Sequence, residues 1–488
     1  MKTLFLVITF GIILHSPDLT AQWQPDLRLT YDGGESITSP NNSWGLASEG
    51  DNVMAVWYDN GDGNYEIYYK RSADGGATWG PDIRLTNDPG ISWYSSIALS
   101  GGNVNVVWQD NRDGNKEIYC KLSTDGGSGW YGDLRLTNNS ASSEYPSAAA
   151  SGSNVHVVWQ DNQDGNWEIY HMRSTDGGFN WQAQNRLTFN TAVSNSPCVS
   201  VSGLNVHVVW EDTRDGGNWC IYYKHSADGG VNWGPDTRLT FETASNLPSV
   251  FAAGSDVHIV WKDNRDFNPE IYYKHSLDGG NSWSADTRLT VTPLSSWAPT
   301  LTVSGSSVHV VWYDNSEGNN EIYYTRSVNK GTSWAVNTRI TNNTSISKNP
   351  FVTASGSAVH VVWYDERDGN SEIYYKKDPT GNPIGIINIS SEIPGMYSLM
   401  QNYPNPFNPS TKITFQLSVN SFTTIKVYDL LGKEVETLVN NELAAGTYKV
   451  DFNGSGLSSG VYFCKMETLP SGAQDKGFLT VKKMILSK

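Results

Sequence analysis

Eight side chains stand where they could do recognition chemistry. Trp93, Tyr94, Tyr145 and Trp297 offer flat aromatic faces, and Trp167, Trp219, Glu211 and Lys262 lie in matching positions beside them. Indole and phenol rings stack on the apolar faces of sugars, while carboxylate and ammonium groups bond hydroxyls. Together these residues predict an aromatic-lined binding mouth for a glycan or a protein. No residue is assigned a catalytic role.

These residues stand out only against a repeat. Trp57, Trp108, Trp159, Trp210, Trp261, Trp312 and Trp363 follow one another at intervals of 51 residues. Around Trp159 the chain reads Val155-His156-Val157-Val158-Trp159-Gln160-Asp161, then a turn cluster with Asp164-Gly165, then Glu168-Ile169-Tyr170. That is strand, tight turn, strand, with a period of two. Flanking segments, Pro146 to Ala150 and Trp181 to Thr188, complete four short strands per unit. Four strands at this period describe a propeller blade.

The seventh unit stops at Asp378-Pro379, short of its fourth strand. The stretch Trp23 to Thr30 is a fourth strand with no unit before it. The sequence therefore predicts an all-β chain whose main domain is a seven-bladed β-propeller closed by its N-terminal strand, which removes open sheet edges. Of 19 Trp, seven mark second strands and seven mark fourth strands. The other five are Trp44, Trp93, Trp167, Trp219 and Trp297. All five fall where a first strand begins or where the turn after a second strand ends, which places them on one mouth.

Charge and composition narrow the function. A formal net charge of −16 argues against nucleic acid or an anionic membrane surface as partner. The Asp-rich turns, such as Asp110 with Asp113 and Asp161 with Asp164, could supply oxygens to calcium. They lack the bidentate Glu of a known calcium loop, so turn chemistry is the preferred reading and no cofactor is expected. The repeated His156, His207, His258, His309 and His360 are read as strand residues. Cys120, Cys198, Cys220 and Cys464 show no metal or disulfide spacing. Every Arg serves a repeat position, and only the turn residues Arg112, Arg214, Arg265 and Arg367 could reach a common pocket.

The termini differ from the repeat. Lys2 precedes the apolar run Leu4 to Leu14, which predicts a signal peptide over 1–21, cut before Gln22. That run is too short for a membrane span, and no transmembrane segment is expected. The propeller is placed at 22–377 and a Pro/Gly/Ser linker at 378–398. Residues 399–488, with Gly turns and alternating stretches such as Thr424 to Tyr428, predict a small β-sandwich.

Two resemblances add to this. The turn Ser-x-Asp-Gly-Gly-x-x-Trp stands at Ser72–Trp79, Ser123–Trp130, Ser174–Trp181, Ser226–Trp233 and Ser276–Trp283, with a degenerate copy at Ser327–Trp334. It resembles the Asp-box, or bacterial neuraminidase repeat, of sialidase-like propellers, where it is a structural hairpin between third and fourth strands. The resemblance brings a sialidase-like glycoside hydrolase into view as the alternative function. Such sialidases grip a carboxylate with three arginines, one often in an Arg-Ile-Pro motif, and use a Tyr–Glu pair with an Asp. This chain has no Arg-Ile-Pro motif. The second resemblance covers about 399 to 488, in the ordered series Tyr403-Pro404-Asn405-Pro406-Phe407-Asn408-Pro409, Ile425 to Val435, Gly446-Thr447-Tyr448, Ser459 to Phe463 and Lys482 to Leu486. It is similar to the type A C-terminal sorting domain of type IX secretion. That implies a Gram-negative bacterium, passage through the periplasm, the type IX machinery as partner, and release or outer-surface attachment. The protein is expected to act as a monomer.

Overall fold

The computed structural model describes residues 23–40, 44–241, 244–379, 387–390, 394–443, 445–454, 457–470 and 477–487. The signal-peptide expectation lies outside the described residues, as does much of the linker. Among the described residues every regular element is a strand. The chain divides into two compact units, Trp23–Pro383 and Ile384–Lys488.

The first unit is a series of four-stranded antiparallel sheets resembling propeller blades. The sheet of Trp159 is typical: Ser143–Ser151, Asn154–Asp161, Glu168–Ser174 and Asn185–Arg186 lie side by side in sequence order. Its second strand is buried on both faces. Val157 and Trp159 pack against Ala98 and Ile118 of the preceding sheet, while Val158 joins Val199 and Val206 of the following one. The core therefore lies between sheets, and alternation along each strand feeds two cores at once.

Head meets tail in this series. Leu27 pairs with Tyr375 and Arg28 with Tyr374, so the N-terminal strand is the fourth strand of the sheet of Trp363. The Gln24 N–H donates to the Lys377 carbonyl at 2.8 Å, and the Leu29 N–H to Ile373 at 2.7 Å. A single core cluster then holds Leu46 and Trp57 of the first sheet with Phe351 and Ile373 of the last.

The repeat residues explain themselves as clamps. The Trp108 indole N–H and the Ser92 hydroxyl both donate to Asp110 Oδ2, at 2.9 and 2.7 Å, joining first and second strands. Arg84 pairs with buried Glu66 at 2.8 Å, tying the fourth strand to the third. In the Ser-x-Asp-Gly-Gly turn, the Gly76 N–H donates to Ser72 Oγ at 2.8 Å and the Thr78 N–H to Asp74 Oδ1 at 2.8 Å. The turn's second glycine also meets the neighbouring sheet. Tyr223 accepts or donates at His207 Nδ1 (2.8 Å), and its hydroxyl lies where a side chain on Gly280 would go. The sheet of Trp108 does this differently. Cys120 replaces the Tyr, and Asn105, in place of the His, donates to the Gly177 carbonyl at 3.1 Å.

Two departures from the repeat shape the ends of the sheets. The first sheet has five strands because its first strand is split into Ser36–Ile37 and Leu46–Glu49. Its paired Ser36 and Asp59 are 23 positions apart, against 18 for Ser92 and Asp110. That insertion carries Trp44, described below. In the turn after the second strand, most sheets place a positive-φ glycine, such as Gly114 or Gly165. The sheet of Trp261 has Phe267 there, with φ of 75° and full exposure. A bulky residue in that region is strained by on the order of 1–2 kcal/mol. Glycine's greater freedom in the unfolded chain offsets part of this. Phe267→Gly is expected to stabilise the protein by about 0.5 kcal/mol net. Thermal denaturation measures this, and a lower melting temperature would show that the Phe ring packs.

The second unit holds two four-stranded sheets. Phe415, Val450 and Phe452 of one share a core with Ile425, Val427, Met466 and Met484 of the other.

Candidate mouth site

The site lies where the first strands begin. Outside the first sheet, whose first strand is split, each first strand there carries a bulge, between Trp93 and Ser96 or between Glu144 and Ser147, for example. The bulge residue is left-handed: Tyr94 at φ 56° and Tyr145 at φ 53°. Bulges redirect side chains and free backbone groups. The freed N–H groups reach back to the preceding sheet. Tyr145 N–H donates to Gln109 Oε1 at 3.0 Å, Ser196 N–H to Gln160 Oε1 at 3.0 Å, and Leu247 N–H to Glu211 Oε1 at 2.6 Å.

The acceptor position follows the repeat Trp directly. Around the series it reads Tyr58, Gln109, Gln160, Glu211, Lys262, Tyr313 and Tyr364. Variation at a site flanked by near-constant Val-Val-Trp and Asp was the readable signal for Tyr58, Tyr313 and Tyr364, which sequence reasoning missed. The floor of the mouth is thus aromatic on one side and polar on the other.

On the aromatic side, Tyr94 lies 4.8 Å from Tyr145, 6.2 Å from Trp93 and 6.0 Å from Tyr58, ring centre to ring centre. Tyr65 meets Tyr58 at 5.4 Å. Lys116 pairs with Glu144 at 2.7 Å and stands 5.8 Å over the Trp93 ring. On the polar side, Lys262 Nζ sits 4.1 Å above the Trp297 ring. Trp167 and Trp219 are joined to the following first strands through their backbone carbonyls, which accept from Ser194 and Ser245 at 2.9 Å. Among the described residues their indoles enter neither aromatic group.

Trp44 goes elsewhere. Its indole N–H donates to the Val199 carbonyl at 3.1 Å, and its ring meets Phe251 edge-on at 5.6 Å. Those residues belong to the sheets of Trp210 and Trp261, so Trp44 crosses the axis of the unit. It borders a cavity of about 200 Å³ lined by the later halves of the first strands, including Ala98, Ala149 and Thr353.

Burial sets the electrostatics. Glu211 is nearly inaccessible, and desolvation pushes its carboxyl up to about 7 despite the hydrogen bond from Leu247. Burial draws the Lys262 ammonium below its usual value, opposed by the fields of Glu211 and Asp263. Burial also raises the Tyr145 phenol, helped by Tyr94, Glu144 and Glu211, which keeps it protonated at neutral pH. The turn arginines do not converge on the mouth. Arg112 pairs with Asp110 at 2.7 Å and Asp133 at 2.8 Å and stacks on Tyr119; Arg214, Arg265 and Arg367 repeat the arrangement in their own sheets. Among the described residues, no group of three or more His, Cys, Asp and Glu could hold a metal ion.

Residues 401–485 match the family described as Secretion system C-terminal sorting domain. This part of the chain is a type IX sorting domain, and it marks the protein for secretion or outer-surface attachment. No curated protein sequence matches the chain. Among solved structures, polysaccharide lyase Uly1 aligns at a TM-score of 0.50 and 9% identity, over 73% of this chain and 99% of that one. A Trypanosoma rangeli sialidase aligns at 0.44 and 11%, over 82% and 86%. The Fusarium graminearum GH93 α-L-arabinofuranosidase aligns at 0.44 and 16%, over 60% and 96%. At these identities the likeness concerns the fold alone. No helix among the described residues is long and apolar enough to cross a membrane.

Proposed function

We propose that this is a secreted or surface-attached glycan-binding protein whose residues 22–377 form a seven-bladed propeller. A linker at 378–398 leads to a β-sandwich sorting domain at 399–488, handled by the type IX machinery after export through the periplasm. The ordered sheets, the N-terminal strand in the last of them and the shared core of first and last sheets support the ring. The observation that supports this reading is the clustering of the rings of Trp93, Tyr94 and Tyr145, with Lys262 over Trp297 and Glu211 close to both Tyr145 and Lys262. Trp167 and Trp219 flank the mouth. A platform of rings beside a small set of polar groups suits a sugar better than a flat protein surface.

The test is a glycan array run with the full mature chain, beside assays of glycoside and sialoside hydrolysis. Each stacking aromatic contributes on the order of 1 kcal/mol beyond the area it buries, so Trp93→Ala with Trp297→Ala should weaken glycan binding by about tenfold or more. The melting temperature should stay near wild type. Unchanged binding, or a collapse in stability, would show that these rings are only packing. One observation favours hydrolysis as a second reading: a carboxyl held near 7 is suited to give and take a proton. Sugar release that Glu211→Gln abolishes would establish it.

A further inference from the structure

The buried or nearly buried lysines of the first unit follow a rule, and Lys262 breaks it. Lys70, Lys121, Lys224, Lys274 and Lys376 are each held in place twice. Each donates to a carbonyl of the neighbouring sheet, at Leu29, Leu85, Leu187, Leu239 and Ile340 respectively. Each also pairs with an Asp, at 2.7 to 2.9 Å. Lys116 has Glu144. Lys262 is 5% exposed, yet among the described residues it makes neither an ion pair nor a hydrogen bond. Its ammonium lies against the Trp297 ring, and the nearby carboxylates of Glu211 and Asp263 act on it through their fields alone.

A largely buried ammonium with no direct carboxylate or carbonyl partner is costly, because much of its hydration is lost and not replaced by a protein bond. The Trp297 face returns part of that, of order 1–2 kcal/mol. Three N–H donors remain for whatever enters the mouth. Glu211 faces Lys262 from the adjoining sheet but beyond ion-pair distance, and it is engaged by the Leu247 N–H and the Asn246 amide. Asp263, next in the chain, is spent on Trp261, Arg265 and Ser245.

Resting on the glycan reading, we propose that the ligand is an acidic glycan and that Lys262 binds its anionic group, with the sugar ring turned toward the aromatic side. The charge of −16 works against a polyanion only weakly at short range. Exposed charges beyond about 8 Å are screened at physiological salt, whereas a desolvated contact is not. A charge-assisted hydrogen bond in such a site is about twice as strong as a neutral one.

The experiment titrates the full mature chain with polygalacturonate, its methyl ester, dextran and dextran sulfate, so that carboxylate and sulfate are separated. Polygalacturonate or dextran sulfate should bind at least about tenfold more tightly than its neutral counterpart. Lys262→Met should remove that preference, and Lys262→Arg should keep most of it. Met preserves the apolar stem over Trp297, and circular dichroism checks the fold. Equal affinity for acidic and neutral polymers, failure to bind either acidic polymer, or a preference untouched by Lys262→Met would overturn the proposal. The array then separates the two ideas. Retention of neutral glycans leaves the glycan reading standing without the anionic contact, and retention of no glycan removes both.

Discussion

Lowering the pH from 7 to 5 should destabilise the propeller unit by several kcal/mol, through its buried histidines. Burial pulls His156 and His258 down to about 4, and His207 and His360 down to about 3, from an ordinary value of 6.5. These rings are folded as neutral imidazoles. Three are bonded through Nδ1 to a Tyr hydroxyl at 2.6 to 2.8 Å, and His156 to His171 at 3.0 Å. The sign follows from proton counting. Below 6.5 the unfolded chain takes up protons that the folded chain refuses, so stability is complete above 6.5 and falls as pH drops toward 3–4. Each buried imidazole loses about 1.4 kcal/mol per pH unit once below its ordinary value, so four lose on the order of 8 kcal/mol by pH 5. That is comparable with the whole stability of many domains. Glu211 and Asp59, which burial raises to about 7 and about 6, take up protons in the folded state over the same range and return part of that loss. The repeat carboxylates bonded to arginine act later. Asp212 and Asp365 feel burial first, which raises them, but bonds from Arg214 and Arg367 with their Trp partners bring them below the usual range. They hold their charge to lower pH than an ordinary carboxylate does. Melting curves at pH 7.5, 6 and 5 measure the slope. His207, His258 and His360 changed together to Met, the residue that Met54 supplies beside Tyr69, should flatten it. A slope that is the same in the triple variant would refute the assignment.

How much of this was legible in the sequence follows the repeat. The second strand was readable because Val-His-Val-Val-Trp combines a period of two with a fixed interval, and Trp159 is buried where that pattern puts it. The N-terminal strand was readable from a missing piece at the other end. The fourth strands are shorter than the pattern suggests: within Trp181 to Thr188 only Asn185–Arg186 forms a continuous ladder, while Trp181 makes an isolated bridge to Ser174 and the Gln182 and Leu187 N–H groups donate to Arg173 and Ile169 at 2.9 and 2.7 Å. Mouth residues were found as exceptions to the repeat, which locates them but does not aim them. Trp44 looked like Trp93 by that criterion. A five-residue insertion sends it across the axis instead, and no local pattern announces a contact 155 positions away. Trp167 and Trp219 share the rim without joining the ring contacts, and Tyr58 joins them while sitting in perfect register. The arginines show the opposite case: their repetition marked them as scaffold, and those of the turns and fourth strands are held within their own sheets, while Arg71 and Arg173 reach the next sheet's turn at Ser128 and Gly229.

Gly280→Ala should be among the most damaging single substitutions in the chain, and Gly279→Ala beside it a mild one. Both glycines are left-handed, at φ 91° and 73°. Any side chain there costs on the order of 1–2 kcal/mol in backbone strain. At Gly279 the added carbon meets open space, so the cost ends there. At Gly280 it overlaps the hydroxyl of Tyr223, backbone is rigid on one side, and Tyr223 is 2% exposed with no room to retreat. Moving it also breaks its bond to His207, so the total should exceed about 3 kcal/mol. Chemical denaturation measures both variants. The contact is between sheets, so its loss should loosen packing between the sheets of Trp210 and Trp261 without unfolding either strand pattern. A double-mutant cycle isolates it: Tyr223→Phe removes the overlapping oxygen and should recover at least about 1 kcal/mol of the Gly280→Ala loss, but none of the Gly279→Ala loss. Equal effects at the two glycines would mean that backbone strain alone selects glycine in this turn, and that the Tyr hydroxyl does not lock one sheet to the next.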